Sequence, residues 1–246
     1  MPVEFANYEF SYLNRKGKRV FVPSDRCRKI AAELTALVRE RVEFDAHYYH
    51  FADGAHVAAL HMLRERRYFA RLDLKNFFYS VGRNRVKADL KAIGVPRAEH
   101  YARWSCVLNP HGEPRYSLPY GFPQSPLLAT LALSQSALGQ AVRDLPATIT
   151  RSIYIDDIAI ASDDLPALTV TFEGLVAAAA AANFALNDAK VSPPSDRMDL
   201  FNCDLSQGET AVKDERVEEF YAMDRTHRAT TAFERYRAKV ASPSNT

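Results

Sequence analysis

Two separated segments place aspartate at the end or bend of an apolar run. They are Phe69-Ala70-Arg71-Leu72-Asp73-Leu74-Lys75-Asn76-Phe77-Phe78 and Ser152-Ile153-Tyr154-Ile155-Asp156-Asp157-Ile158-Ala159-Ile160. Brought together, Asp73, Asp156 and Asp157 offer a place for two divalent cations side by side. Such a pair, roughly 4 Å apart, suits in-line phosphoryl or nucleotidyl transfer. Carboxylates are fitting donors because Mg²⁺ is hard and keeps oxygen partners, including waters and substrate phosphates. Asp73 and Asp156 are the expected bridging pair, Asp157 a weaker ligand or electrostatic tuner, and the Leu74 carbonyl a further donor. Metal binding lowers the pKa of an attacking hydroxyl, so no general base is required. The plain alternative is that Asp73 caps a strand and Asp156-Asp157 is only a polar turn. Against it, the pair interrupts an otherwise uncharged hairpin, and a third Asp heads another apolar segment.

The elements that must position these residues are legible as patterns. Residues 8–22 read as a hairpin turning at Asn14-Arg15-Lys16-Gly17, with Pro23 closing its second strand. Ser24 or Asp25 caps a helix to about residue 41, with Ile30, Leu34, Leu37 and Val38 on one face. Helices follow over 56–66, 83–93 and about 98–108. A long apolar helix opens at Ser125-Pro126 and runs to about residue 142. Strands are expected over 68–74, 149–155 and 158–162, the last two joined tightly at Asp156-Asp157. An Ala-rich helix covers roughly 167–184. Residues 198–212 form a short hairpin turning at Gln207-Gly208, and 214–240 form one helix or two. Strand, helices, hairpin, helix, strand is the order of a split β-α-β-β-α-β layer, which sets Asp73 on a central strand beside the 156–157 bend.

Composition sets the bounds. A chain of 246 residues and 27.7 kDa fits one large domain or two tightly joined ones. With 47% hydrophobic and 25% charged residues, a disordered or fibrous chain is excluded. Cys27, Cys106 and Cys203 are far apart and odd in number, matching neither a disulfide framework nor a Cys-based zinc site. A reducing compartment, and so a cytoplasmic location, is the expectation. The opening residues lack a secretory signal pattern, and the apolar run at 177–182 is too short to span a membrane. The net charge of +2 is unevenly spread: residues 1–115 hold 21 Lys/Arg against 13 Asp/Glu, and residues 116–246 hold 11 against 17. A basic front half suits phosphate and an acidic back half suits metal, accidental surface asymmetry being the alternative.

On these motifs the chain resembles the reverse transcriptases, in style the bacterial retron, group II intron and phage-defence-associated enzymes. Residues 69–78 resemble the first palm motif, and Tyr154-Ile155-Asp156-Asp157 resembles the Tyr-x-Asp-Asp box. Leu186-Asn187-Asp188-Ala189-Lys190 is similar to the later Leu-Asn-x-x-Lys element, and 199–204 sits where a primer-grip hairpin is expected. The resemblance spans about residues 8–220. It implies an α+β right-hand polymerase with fingers and palm, the palm being a split β-α-β-β-α-β (ferredoxin-like) layer around the central Tyr154-Ile155-Asp156-Asp157 hairpin. It implies fingers in 1–67 and a palm in 68–212 with inserted fingers helices at about 83–115. Residues 213–246 would be a short helical remnant of a thumb or a partner-binding segment. It further implies two Mg²⁺ ions (Mn²⁺ as substitute), dNTPs, an RNA template or structured non-coding RNA, a DNA product and a role in bacterial antiviral defence. A protein partner or second copy is expected to compensate for the short thumb; no membrane is involved.

The same resemblance assigns a substrate pocket. Phe78, five residues after Asp73, is the aromatic gate that crowds a 2′-hydroxyl and favours dNTP over NTP. A core phenylalanine is the alternative, a role that fits Phe77 better where side chains alternate along a strand. Residues 118–130 resemble the segment Leu-Pro-Gln-Gly-x-Pro-x-Ser-Pro-x-Leu-x-Asn, with Tyr120 and Thr130 in place of Gln and Asn. Tyr stacks and donates one hydrogen bond but lacks the amide's paired donor and acceptor. A narrowed nucleotide preference or an unusual template, DNA included, follows as an expectation. Gly121 allows close backbone approach to a nucleotide or template. Gln124 either compensates for the missing amide or simply caps a helix. Arg19 resembles the fingers residue that meets the triphosphate, with a solvated surface arginine as the alternative; Lys18 and Arg28 are weaker candidates. Lys190 stabilises or protonates leaving pyrophosphate, or forms a plain salt bridge. Residues 48–54 with His56 and His61 lack metal-ligand spacing and by resemblance hold template, with core or surface packing the favoured alternative for any one of these rings. Two rivals remain: a nucleic-acid-binding scaffold without catalysis, and an RNA-copying RNA polymerase, which Phe78 disfavours.

Overall fold

Predominantly apolar strands call for cover on both faces, and the strands carrying the aspartates have it in the computed structural model, which describes residues 6–15 and 17–242. In chain order the elements are β1 (Tyr8–Leu13), β2 (Arg19–Pro23), α1 (Asp25–Arg41), α2 (Ala55–Leu63), β3 (Tyr68–Asp73), α3 (Phe77–Ser80), α4 (Arg83–Ala92) and α5 (Ala98–Ser105). Next come β4 (Val107–Leu108), β5 (Tyr116–Ser117), α6 (Ser125–Ser134), α7 (Ala137–Arg143), β6 (Thr150–Tyr154), β7 (Asp157–Ser162) and α8 (Leu165–Ala181). They are followed by β8 (Ser192–Ser195), β9 (Arg197–Leu200), β10 (Cys203–Ser206), β11 (Glu209–Val212), α9 (Asp214–Tyr221) and α10 (His227–Ala241). These fall into two compact units. One holds the described residues through Phe44, Lys75–Gln140 and Ala179–Ala185; the other holds Asp45–Leu74, Ala141–Ala178 and the described residues from Leu186.

The second unit contains a four-stranded sheet in the order β6-β7-β3-β8, every pair antiparallel. That is the strand order of a split β-α-β-β-α-β layer, and the fold class is the expected α+β. All but the first residue of β3 and of β7 are buried, as central strands covered on both faces should be. A second sheet, β9-β10-β11, alternates inward Met198, Leu200, Cys203, Leu205 and Val212 with exposed positions. Phe220, Phe233 and Val240 of α9 and α10 pack on this face, with Leu60 and Leu63 of α2. Burial of each such large side chain stabilises by about 1.5–3 kcal/mol. Phe220 and Phe233 stack at 4.0 Å inside the core, and Tyr221 remains exposed.

In the first unit the β1–β2 hairpin forms as expected, although Lys16 of its turn lies outside the described residues. Ser24 caps α1, its Oγ accepting the Cys27 N–H at 3.3 Å. Four boundaries differ from expectation. The helix expected over 98–108 ends at Ser105, and Val107–Leu108 pairs with Tyr116–Ser117. Asn109 clamps that hairpin, accepting the His111 N–H and donating to the Pro114 carbonyl, both at 2.9 Å. The long helix from 125 is two helices, because Ser134 and Ser136 hydroxyls bond back to the Leu131 and Leu133 carbonyls. Ser136 Oγ then caps α7 through the Gly139 N–H at 3.1 Å. The strand through Asp73 stops there, since Asn76 takes φ 50 and Phe77–Ser80 turn helical. In the second unit, the hairpin over 198–212 is a three-stranded meander with an extra turn at Phe201-Asn202. No described helix is long and apolar enough to cross a membrane.

Candidate active site

Asp73 ends β3, Asp157 begins β7, and the two are direct partners in the antiparallel register. The Leu74 N–H donates to the Asp156 carbonyl at 2.9 Å, so the backbone itself gathers the three aspartates. The turn between β6 and β7 needs Ile155 at φ 59, an unusual conformation for a β-branched residue. β6 is the edge strand of this sheet, and residues 47–50 cover it. The Ile153 N–H donates to the His47 carbonyl at 2.7 Å, Tyr48 bridges to Ile153, and His50 Nδ1 accepts the Ile155 N–H at 3.2 Å. Burial pulls the His50 pKa down to about 4, opposed by its hydrogen bond to the Ile153 backbone, so the ring is neutral near pH 7. Tyr48 and His50, expected at a template-holding loop, serve here in packing against β6.

Arg71 lies two residues before Asp73 and therefore on the same strand face. Its Nε donates to Asp157 Oδ1 at 2.8 Å, its Nη2 lies 3.5 Å from Asp73 Oδ2, and its Nη1 donates to the Asp199 carbonyl at 3.0 Å. Asp73 is also held by the Asn187 side chain at Oδ1 (3.0 Å) and by Lys190 Nζ at Oδ2 (2.9 Å). Lys190, half exposed, is held above its ordinary pKa chiefly by that bond. Burial pushes the Asp157 carboxyl up to about 6; Arg71 pulls it down, while Asp156 and Asp73 push it further up. Lys190 thus makes the salt bridge that was its alternative reading. Arg71 and Asn187 were given no individual role from the sequence, and His50 only a place in the template-holding region. A cation inside an apolar strand was the available signal for Arg71.

Hard oxygen donors gathered under mutual repulsion suit a divalent cation. The backbone register therefore fits the expected metal pair, with Leu74 directly after Asp73. The side-chain arrangement departs from expectation. Among the described residues no three His, Cys, Asp or Glu side chains form a ready metal-holding group. Asp73 and Asp157 turn instead toward Arg71 and Lys190, protein cations that answer the same charge.

The first unit gathers a different set. Lys18, Arg19, Asn76, Tyr79, His111 and Tyr120 are among the residues lining a cavity of about 250 Å³. Lys18 Nζ donates to the Tyr120 hydroxyl at 3.1 Å and sits 4.7 Å from that ring's centre. Phe78, 8% exposed, meets the Tyr120 ring edge-on at 4.9 Å. Phe77 is buried too, against Phe184, since both residues lie on a helical turn and strand alternation does not separate them. Gly121 and Gln124 both make close contacts within this unit. The close approach at Gly121 is to β2: at φ 99, a Cβ would lie 2.2 Å from the Phe21 carbonyl oxygen. Gln124 is fully buried, its amide 3.4 Å from Ser105 Oγ and 3.9 Å from Cys27 Sγ, so it packs the core instead of replacing the missing amide. Thr130 Oγ1 donates to the Pro126 carbonyl within α6.

A sheet with this strand order, carrying aspartates at the β3 end and the β6–β7 bend, defines the palm-type nucleotidyltransferase class. Residues 13–199 match the family model described as "Reverse transcriptase (RNA-dependent DNA polymerase)", and the chain belongs to that family. Among solved structures it is similar to the foamy viral protease-reverse transcriptase dRH in complex with double-stranded DNA. There the TM-score is 0.53 at 16% identity, over 88% of this chain and 32% of that one. The foamy viral protease-reverse transcriptase in complex with RNA/DNA hybrid gives a TM-score of 0.51 at 14% identity, over 88% and 24%. The chain therefore spans a third or less of either protein, and at these identities the likeness is one of fold. No curated protein sequence matches it.

Proposed function

We propose that the chain is an RNA-directed DNA polymerase that adds dNTPs to a 3′-hydroxyl by two-metal catalysis. The observation carrying this is the pairing of Asp73 with Asp157 while the Leu74 amide holds Asp156 beside them. Asp73, Asp156 and Asp157, with the Leu74 carbonyl, are the residues that would hold two Mg²⁺ (or Mn²⁺), which supply activation of the attacking hydroxyl and neutralisation of phosphoryl charge. Asn187 and Lys190 grip the Asp73 carboxylate from both oxygens, setting its orientation before substrate arrives. Lys190 is the cation that answers charge on departing pyrophosphate. Arg19 takes the triphosphate, and Phe78 excludes the 2′-hydroxyl. Tyr120 puts a ring where the family carries an amide, which points to altered nucleotide or template preference, DNA templates included.

The proposal includes fingers in residues 1–67, a palm in 68–212, and a thumb remnant or partner-binding segment in 213–246. It also includes an RNA template or structured non-coding RNA, a protein partner or second copy, and a cytoplasmic, bacterial antiviral setting of the retron, group II intron or defence type. The nucleic acids held by the two foamy viral structures support the choice of partner class. Labelled dNTP supplied with a primed RNA template and Mg²⁺ tests it, comparing wild type with Asp156→Asn. Incorporation that the variant lowers by about 10³-fold or more supports the reading. A folded wild type that incorporates nothing leaves the scaffold in its place, and a preference for NTPs points to an RNA polymerase.

A further inference from the structure

Ile155 occupies the left-handed region at φ 59, which a β-branched side chain resists unless its surroundings hold it there. The turn closes on the Tyr154–Asp157 pair, leaving the Ile155 N–H outside the β6–β7 ladder. An amide so placed on a covered strand edge needs an acceptor, or its desolvation opposes the fold. His50 provides one, its Nδ1 standing 3.2 Å from the Ile155 nitrogen. Three rings surround the imidazole, with centroids at 4.1 Å for Phe51, 5.9 Å for Tyr154 and 6.1 Å for Tyr48. The segment carrying it is itself tied to β6 through the His47 carbonyl and the Ile153 N–H. Ring, acceptor and strand are therefore oriented together within one unit.

We infer that His50 is a positioning residue of the aspartate site: by holding the Ile155 amide it fixes the turn that presents Asp156 and Asp157. This rests on the polymerase reading of that site and adds to it a side chain 105 positions away in the chain. Because Nδ1 accepts, the ring proton resides on Nε2. An asparagine oxygen occupies nearly the same position and can accept in its stead. Phenylalanine keeps the ring and loses the acceptor.

Two readouts test it in parallel: hydrogen exchange at the Ile155 amide, and single-nucleotide incorporation with kcat and dNTP KM measured separately. The wild-type amide is protected. In His50→Phe it exchanges about tenfold faster, and kcat falls about 10- to 100-fold with KM changed less than about threefold. His50→Asn restores most of both. Should His50→Phe fail to fold, His50→Gln, which moves the acceptor outward by one methylene, replaces it with the same expected losses. An unprotected Ile155 amide in the wild type overturns the proposal. So does wild-type kcat in His50→Phe, or an asparagine variant as impaired as the phenylalanine one. A wild-type chain that incorporates nothing refutes the polymerase reading alone, and exchange at Ile155 still decides whether His50 holds the turn.

Discussion

Asp73 stands directly opposite Asp157, and the guanidinium of Arg71 hydrogen-bonds the second while lying 3.5 Å from the first. Two carboxylates buried side by side repel, and removal of water strengthens that repulsion. Arg71 offsets it with a planar donor set that also reaches the Asp199 carbonyl. One side chain thus links β3, β7 and β9.

Removing that guanidinium exposes the repulsion. Arg71→Gln is expected to lower stability by about 2–4 kcal/mol at pH 7.5, read from urea unfolding. Arg71→Lys should recover only part of the loss, because an ammonium cannot reproduce the forked contacts. A change under about 0.5 kcal/mol for the glutamine variant would show that the carboxylates do not need it.

Gly121 is required by its neighbour. A Cβ there meets the Phe21 carbonyl oxygen at 2.2 Å, on backbone already at φ 99. Gly121→Ala should cost about 3 kcal/mol or more, since backbone must shift on both segments. Thermal unfolding checks this; an unchanged midpoint would mean the loop yields freely.

Asp89 gives a pH signature. Burial pushes its carboxyl up to about 6, well above the ordinary aspartate value, Arg85 opposing, and its Oδ2 has no hydrogen-bond partner. The folded chain therefore binds this proton more tightly than the unfolded chain. Asp89 lowers stability as pH rises from about 4 through about 6, and the penalty is complete above that. Asp89→Asn is expected to stabilise by about 1–2 kcal/mol at pH 8, after allowance for partial exposure, and by nothing below pH 4. Arg85 keeps its bonds to the Ala132 and Ala182 carbonyls. Calorimetric midpoints at both pH values decide; an equal gain at each would refute the titration.

Phe78 carries a test of the sugar gate. Phe78→Val should raise use of NTP relative to dNTP by about tenfold or more. It should also cost about 1–3 kcal/mol through the lost edge contact with Tyr120 and the space left behind. Competition between the two nucleotides in one reaction reads the first effect independently of stability. Undiminished discrimination would return Phe78 to a plain core role.

The aspartate-bearing strands were legible because short, nearly continuous apolar runs are a local consequence of strands covered on both faces. The hairpin bend was legible for the same reason, although the turn falls at Ile155-Asp156, one residue earlier than expected, and Asp157 opens β7; so was the order of elements that sets Asp73 beside it. Helix ends were less so: hydroxyls at Ser134 and Ser136 compete with the backbone only in a particular local geometry. The directions taken by Gly121 and Gln124 were hidden, because a family-like motif names residues without stating which face they turn to the core.

Two apolar segments bearing carboxylate at an end or bend, and the class of chemistry they suit, were present in the chain itself, since strand pattern depends on near neighbours. Which cations answer those carboxylates, and which side chain holds the bend between them, was decided only on folding. Arg71 finds Asp157 across 86 residues, Lys190 finds Asp73 across 117, and His50 finds Ile155 across 105. No periodicity reaches so far; packing brings such partners together, and the charge and hydrogen-bonding needs of buried groups select them.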